Sequence, residues 1–535
     1  MSRPHPTRRR LVALVVGLAF ALALAACGGS SSKSGSSGGG GGGGAAGKES
    51  DVIKLAYNAD MQVPDPDIFY EIEGNSVTTS LYEGLVRYAP NSTKIEPALA
   101  KTFTKSADGK TYTFTMRTGV KFHDGTALDS AAAKGSFERR TKVNSAPAYM
   151  LADVDHYETP NATTFIVKLK KPVSAFLDYL AAPYGPKMVS PKVLKDHAGS
   201  DFAQNWLKTH DGGTGPFQMT EFVPGSHYTL ARYDGYWGPK AAVAAIDISI
   251  IPDISTERLK LEAGDLSMII HGLSLDDIAS FSKNSKFQVQ RFPALFKSLL
   301  FVNENKGVFK DKAARLALRS AVDRKAIVDQ VYGDNGSVST QFYPAGELPA
   351  SMAKDVATLD PSKLTDVAKG LKSKKVDLGY SSDDARNQRV AELIQTQLQA
   401  AGLDVTTRGI PIAQVFDLPN HPDQAPDLLL ATVNPDAAHP DTWARIFSNT
   451  KGALNWLQAS TPAADTAMDQ GLAATDPSAI QTAYGKAGDE IIADGTFLTI
   501  ADVKEVIVAR AGYKHFVHQE PTLFTVRFGD LELGS

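Results

Sequence analysis

A chain of 535 residues is longer than one hydrophobic core organises, so more than one lobe is expected. Its composition is 43% hydrophobic, 21% charged and 8% aromatic with a net charge of −3, ordinary for a globular protein and without the basic, aromatic-interleaved stripe of a nucleic-acid binder. After residue 26 no apolar run approaches the ~20 residues that span a bilayer.

The first 26 residues hold Arg3, Arg8, Arg9 and Arg10 and no acid, so removing their four charges leaves the remainder near −7. An apolar stretch, Leu11–Ala26, ends in Leu24-Ala25-Ala26-Cys27, and Cys27 is the only cysteine. A cationic start, an apolar run and small residues form a secretory signal. The final four residues resemble a bacterial lipobox, in which the cysteine becomes a lipidated first residue. An ordinary signal peptide with an incidental cysteine and an N-terminal membrane anchor are the alternatives. Thr7–Leu11 also carries a twin-Arg pattern, so the export route stays open between Sec and twin-Arg. Residues 27–50 are rich in Gly and Ser and predict a disordered tether, whose 23 residues after the cysteine reach roughly 25 Å as a flexible coil. With one cysteine no internal disulfide can form, so burial alone must stabilise an exported body.

Asp60, Asp65 and Asp67 lie among prolines and read as a solvated loop rather than a catalytic pair. Leu99–Lys105 and Thr111–Arg117, joined through Asp108-Gly109, predict a β-hairpin in which Tyr112, Phe114 and Met116 share one face. Thr163–Lys170 alternates in the same way, and His227–Tyr233 is a further strand candidate. Asp311–Tyr332 predicts one long helix. Val376–Tyr380 predicts a short strand, the segment from Ser381 to Ala401 a capped helix stopped by Gly402, and Leu403–Thr407 a second strand. Strand, helix and strand within about 30 residues make a βαβ unit and imply a parallel sheet. The fold class is α/β with at least two lobes.

No HExxH or GxSxG occurs, and CxxC is impossible with one cysteine. Gly109-Lys110-Thr111 ends like a phosphate-binding loop, but position 104 is Thr and the tripeptide falls in the hairpin turn. His421, Asp436, His439 and Asp441 cluster in a Pro-rich segment at a spacing that fits no closed metal motif.

Four stretches in order resemble family 5 extracytoplasmic solute-binding proteins of ABC importers, the oligopeptide, dipeptide and nickel receptors. They are "SLYEGLVRYAPNSTKIEPALAKTF" at 80–103, "SADGKTYTFTMRTGVKFHDGTALDS" at 106–130, "GTGPFQMTEFVPGSHYTLARYDGYWG" at 213–238 and "LLFVNENKGVFKDKAARLALRSAVDRKAIVDQVYGDNG" at 299–336. The resemblance implies a two-lobed, type II periplasmic-binding-protein fold with an extra domain inserted in the first lobe. It divides the chain into a signal peptide at 1–26, the lipidated tether at 27–50, lobe I from 51–85, 205–295 and 501–535, the inserted domain at 86–204, and lobe II at 296–500. Peptide-binding relatives carry an "A-D-Y-x-D-P" stretch whose Asp pairs with the peptide α-amino group. Here "NPDAAHPDTW" at 434–443 is similar, which implies Asp436, beside Asn434, as ligand-binding. Ala437 replaces the Tyr, His439 the second acid, and Val433 stands where an aromatic often sits, so nickel chelates, sugars and other polar solutes stay open beside peptides. The loop holding Phe69, Tyr70 and Glu71 aligns with cleft-lining residues. His123-Asp124-Gly125 and Tyr236-Trp237 read as structural.

The implied function is a monomeric receptor on the extracytoplasmic face of the bacterial membrane, anchored through Cys27. It captures a small solute, a short peptide first among them, and delivers it to the permease subunits of an ABC transporter. No catalytic residue, metal, cofactor or nucleic-acid partner is implied. The alternatives are a sensory or scaffold lipoprotein on the same fold and a surface hydrolase.

Overall fold

The computed structural model describes residues 51–518 and 525–534. The expectations for the signal segment, Cys27 and the tether lie outside the described residues.

Three larger sheets organise the described chain. Val52–Tyr57, Ala245–Ile250, His227–Arg232 and Phe217–Val223 neighbour one another in that order, the first pair parallel and the others antiparallel. Ile53, Leu55, Tyr228, Leu230, Ile246 and Ile248 alternate inward and are fully buried, as the two-residue period of a half-buried strand requires. The predicted hairpin forms the second sheet. Ala100–Lys105 pairs with Thr111–Met116 at Phe103↔Phe114, and Thr164–Leu169 and Val154–Asn161 extend it. Gly109 turns the chain at φ 69°, a backbone region that glycine enters without steric cost. Phe114, Phe165 and Val167 pack beneath helix Ser130–Val143, where Phe137 meets Phe165 edge-on at 5.2 Å.

The third sheet has seven strands among the described residues. Lys375–Ser381, helix Ala385–Ala400 and Asp404–Ile410 form the expected βαβ unit, with parallel register Val376↔Val405. Asp384 caps the helix, accepting from the Arg386 N–H at 2.9 Å. Its Val390, Ile394 and Leu398 are buried. Two long antiparallel strands, Phe287–Val302 and Phe497–Arg510, run in register from Phe287↔Arg510 to Phe301↔Phe497, with irregularities between Phe292 and Phe296 and between Ser298 and Leu299. Their Phe287 and Val508 ends pack with Leu261 and Phe281, whereas Leu300 and Leu498 pack with Leu318 and Leu378. One strand pair thus joins two separate apolar cores.

The single helix expected over 311–332 is broken. Lys312–Ala321 ends at an extended Val322, and Asp323 caps a new turn, Arg324–Ile327, accepting from the Ala326 N–H at 2.9 Å. Buried Asp355 explains the break: Arg319 pairs with its carboxylate, and Arg324 donates to its backbone carbonyl at 2.9 Å. A side-chain cap beside a helix end competes with helix continuation.

Candidate ligand-binding site

The segment 58–74 after strand Val52–Tyr57 carries Phe69, Tyr70 and Glu71. It is anchored at its start, where the Met61 N–H donates to Tyr228 Oη at 2.9 Å and that hydroxyl bonds Asp60. The solvated-loop expectation fails further along. Asp65 and Asp67 are both 0% exposed. Arg139 donates to Asp65 through both terminal nitrogens at 2.8 and 2.6 Å and to Asp67 at 2.6 Å, and Arg140 Nε donates to Asp67 at 2.8 Å. Arg140 also meets the carbonyls of Pro66 and Tyr184 at 2.7 and 2.6 Å. Two buried carboxylates facing two guanidinium forks fix the loop to helix Ser130–Val143, because each charge would be costly without the other. That helix leads directly into the short turn Ala146–Leu151, which carries Tyr149.

The facing wall comes from the third sheet. Strand Leu428–Val433 ends at Asn434, and helix Pro440–Ser448 begins six residues later. The intervening loop is held from within. His439 Nδ1 caps the helix by accepting from the Asp441 N–H at 3.1 Å, and Thr442 Oγ1 donates to the Ala437 carbonyl at 2.6 Å. Asp436 projects from this loop and is 9% exposed. Its Oδ2 accepts from Tyr149 Oη at 2.6 Å and from Tyr70 Oη. Tyr184 supports Tyr70 with ring centroids 5.0 Å apart, and Tyr179 supports Tyr149 at 5.7 Å. More bonds cross between the walls: Tyr88 Oη accepts from the Ala438 N–H at 2.9 Å, and Tyr179 Oη donates to Asp441 at 3.4 Å. Among the described residues Tyr70, Tyr88, Tyr149 and Tyr179 therefore reach the 436–441 segment at four points.

The electrostatics of this interface are acidic. Burial pushes the Asp436 carboxyl above the usual carboxylate range, partly offset by the two tyrosine hydroxyls. Burial likewise raises Asp178 to about 7, with a hydroxyl bond from Tyr88 at 3.1 Å opposing it. Glu347 is raised by burial and by the neighbouring Asp178, and neither of its carboxylate oxygens has a hydrogen-bond partner among the described residues. Asp441 is answered by Arg445 at 2.9 Å and by Tyr484 Oη at 2.6 Å. Burial drives His439 down to about 3, so it is neutral. Lys297 is occupied by Asp502 and Ser339. Asp436 thus meets neutral hydroxyls, a setting that favours a ligand cation.

Of the residues anticipated from sequence, Asp436 and Tyr70 come together directly. Asn434 sits at the strand end, its side-chain amide donating to the Pro435 carbonyl at 3.2 Å. Phe69 is 2% exposed and belongs to the core beside Tyr184. Glu71 is half-buried and turned toward Gln62, whose N–H it accepts at 3.2 Å. Sequence reasoning missed Tyr88, Tyr149, Tyr179 and Tyr184, which no local pattern marks, and the Arg139–Arg140 clamp. His123 bonds Asp211 and the Gly215 carbonyl, and Tyr236 and Trp237 donate to Glu83 at 3.0 and 2.9 Å, so both motifs hold structure together. Among the described residues no three His, Cys, Asp or Glu side chains converge as a metal site.

Two α/β cores joined by paired strands, with a polar interface between them, define a binding protein of the two-lobed, type II periplasmic kind. Solved structures share that fold: the substrate-binding protein CtaP from Listeria monocytogenes superposes with a TM-score of 0.81 at 20% identity, covering 90% of this chain and 99% of the other. DppA from Helicobacter pylori, in complex with the peptide STSA, gives 0.77 at 22% identity over 90% and 98%. The family model "Bacterial extracellular solute-binding proteins, family 5 Middle" matches residues 94–455, and the chain belongs to this family. It is 26% identical to the probable D,D-dipeptide-binding periplasmic protein DdpA of Escherichia coli over 97% of both chains. It is 30% identical to the nickel-binding periplasmic protein of the same organism, over 63% of this chain and 67% of that one.

Proposed function

We propose that this family 5 solute-binding protein is a receptor for a short peptide, held at the extracytoplasmic membrane face by a lipid on Cys27, and that it passes the peptide unaltered to an ABC permease. The observation that carries the reading is Asp436: a buried carboxylate between the walls, bonded on one oxygen by two neutral tyrosines and by no side-chain cation. A peptide α-ammonium entering there would supply the missing charge, and in a water-poor interface that pairing is stronger than in solvent. Relatives named for binding a D,D-dipeptide and glutathione support a peptide over a sugar. The lobes would close over the ligand as a hinge at the two long strands, and ligand would shift the population toward the closed form.

The test is direct. The secreted body is purified, mixed with a peptide library, and the retained molecules are identified by mass spectrometry. Intact short peptides are expected. Asp436→Asn should weaken their binding by about 2–5 kcal/mol, the cost of removing one partner of a buried charge pair. Retention of sugars or nickel chelates alone, or recovery of cleaved products, would overturn the reading.

A further inference from the structure

A polar cavity of about 280 Å³, whose lining does not include Asp436, is lined by Glu83, Arg87, Arg117, Lys187, Trp237 and Arg527 among others. Four basic side chains face it, and among the described residues each acid near them is already engaged. Glu83 accepts from Tyr236 at 3.0 Å and from Thr214 and Trp237 at 2.9 Å each. Glu96 pairs with Arg87 at 2.7 Å, and Asp530 pairs with Arg527 Nη2 at 2.7 Å.

The other terminal nitrogen of Arg527, Nη1, is buried and has no hydrogen-bond partner among the described residues. Arg117 spends its Nε on the Ala98 carbonyl at 2.6 Å and stacks over Trp237 at 4.6 Å. Lys187 is 6% exposed and, among the described residues, donates only to the Ala182 carbonyl, at 2.9 Å. Burial lowers Lys187 to about 7, and burial lowers Arg527 against the opposing pull of Asp530, with neighbouring Arg87 adding to the lowering. A buried donor left unmade is expensive, and a liquid water occupies about 30 Å³, so the cavity has room for an anion and its hydration.

We infer that this cavity is a binding site for a small oxyanion, taken by the Arg527 Nη1 donor with Arg87 and Lys187 around it. A guanidinium fork and an ammonium match the oxygens of a phosphate group, which free phosphate and an anionic lipid headgroup share. The site is independent of the peptide-binding reading.

The purified protein is titrated with inorganic phosphate by calorimetry and by thermal unfolding, against chloride at equal ionic strength. Saturable binding and a phosphate-specific rise in Tm are expected. Arg527→Gln should weaken phosphate binding at least tenfold. Arg87→Gln, at a side chain 38% exposed and therefore safe for the fold, should weaken it several-fold while peptide binding is unchanged. Phosphatidylglycerol vesicles form a second arm: sedimentation with vesicles that Arg87→Gln abolishes assigns the oxyanion to a headgroup, and binding of free phosphate alone assigns it to solution. Absence of both, or phosphate and vesicle binding unaltered by both variants, overturns the inference.

Discussion

Arg139→Met tests whether the buried acid–guanidinium cluster holds the ligand loop. Arg139 is 3% exposed and makes three bonds of 2.6–2.8 Å to Asp65 and Asp67. Methionine fills much of the same volume but removes the charge, leaving Asp65 without a cation and Asp67 with Arg140 alone. Breaking a buried pair on one side costs about 3–5 kcal/mol, whereas replacing the whole group with neutral side chains costs far less. The variant should show a lower urea midpoint at unchanged slope, and the double variant Asp65→Asn, Arg139→Met, which leaves Asp67 paired with Arg140, should recover most of the loss. Ligand affinity follows the same order, because Tyr70 lies three residues beyond Asp67 and Tyr149 six beyond the end of the clamping helix. A wild-type midpoint for Arg139→Met, or a double variant less stable than the single one, would refute the reasoning.

Two further outcomes follow from particular contacts. Asp178 holds its proton to about pH 7 when folded but releases it near 4 when unfolded, so the folded state binds more protons between those values and stability falls as pH rises through them. Asp178→Asn should therefore be more stable than wild type at about pH 8, by up to about 4 kcal/mol, and the gain should vanish near pH 3 in a pH series of denaturant melts. Gly213→Ala should destabilise by about 1–3 kcal/mol or more, since its Cβ would stand 1.9 Å from the Leu81 carbonyl oxygen; thermal unfolding at the wild-type temperature would remove that explanation.

The hairpin and the βαβ unit were legible because their periods are local: Tyr112, Phe114 and Met116 alternate over six residues, and Val390, Ile394 and Leu398 recur at helical spacing. The ordered motifs were legible for a related reason. The "GTG" at 213–215 admits no side chain at either glycine, because a Cβ at Gly215 would lie 2.1 Å from the Ser80 carbonyl. What stayed hidden was pairing over distance. Asp65 and Arg139 are 74 residues apart, and Tyr149 and Asp436 are 287 apart. A carboxylate among prolines looks solvated until the fold brings a guanidinium to it, and an isolated tyrosine carries no sign of the wall it will face. The helix break at Val322 belongs with these, since its cause is Asp355, more than thirty residues downstream.

The neutrality of the groups around Asp436 bears on how such a receptor would respond. Had an arginine of the opposite wall paired with it, the closed arrangement would be satisfied without ligand, and an incoming ammonium would have to displace a strong fork. Hydroxyl groups satisfy only part of a carboxylate's demand, so closing the walls on an empty site leaves the desolvation of Asp436 largely uncompensated. A ligand cation removes that penalty only when the walls meet around it. The difference in its affinity for open and closed forms is what moves the equilibrium, and nothing else can. Asp441 shows the contrast five residues on: Arg445 and Tyr484 from its own side already balance it, with Tyr179 reaching it from the facing wall. Two carboxylates five residues apart thus stand in different charge environments, and only Asp436 has no side-chain cation among the described residues.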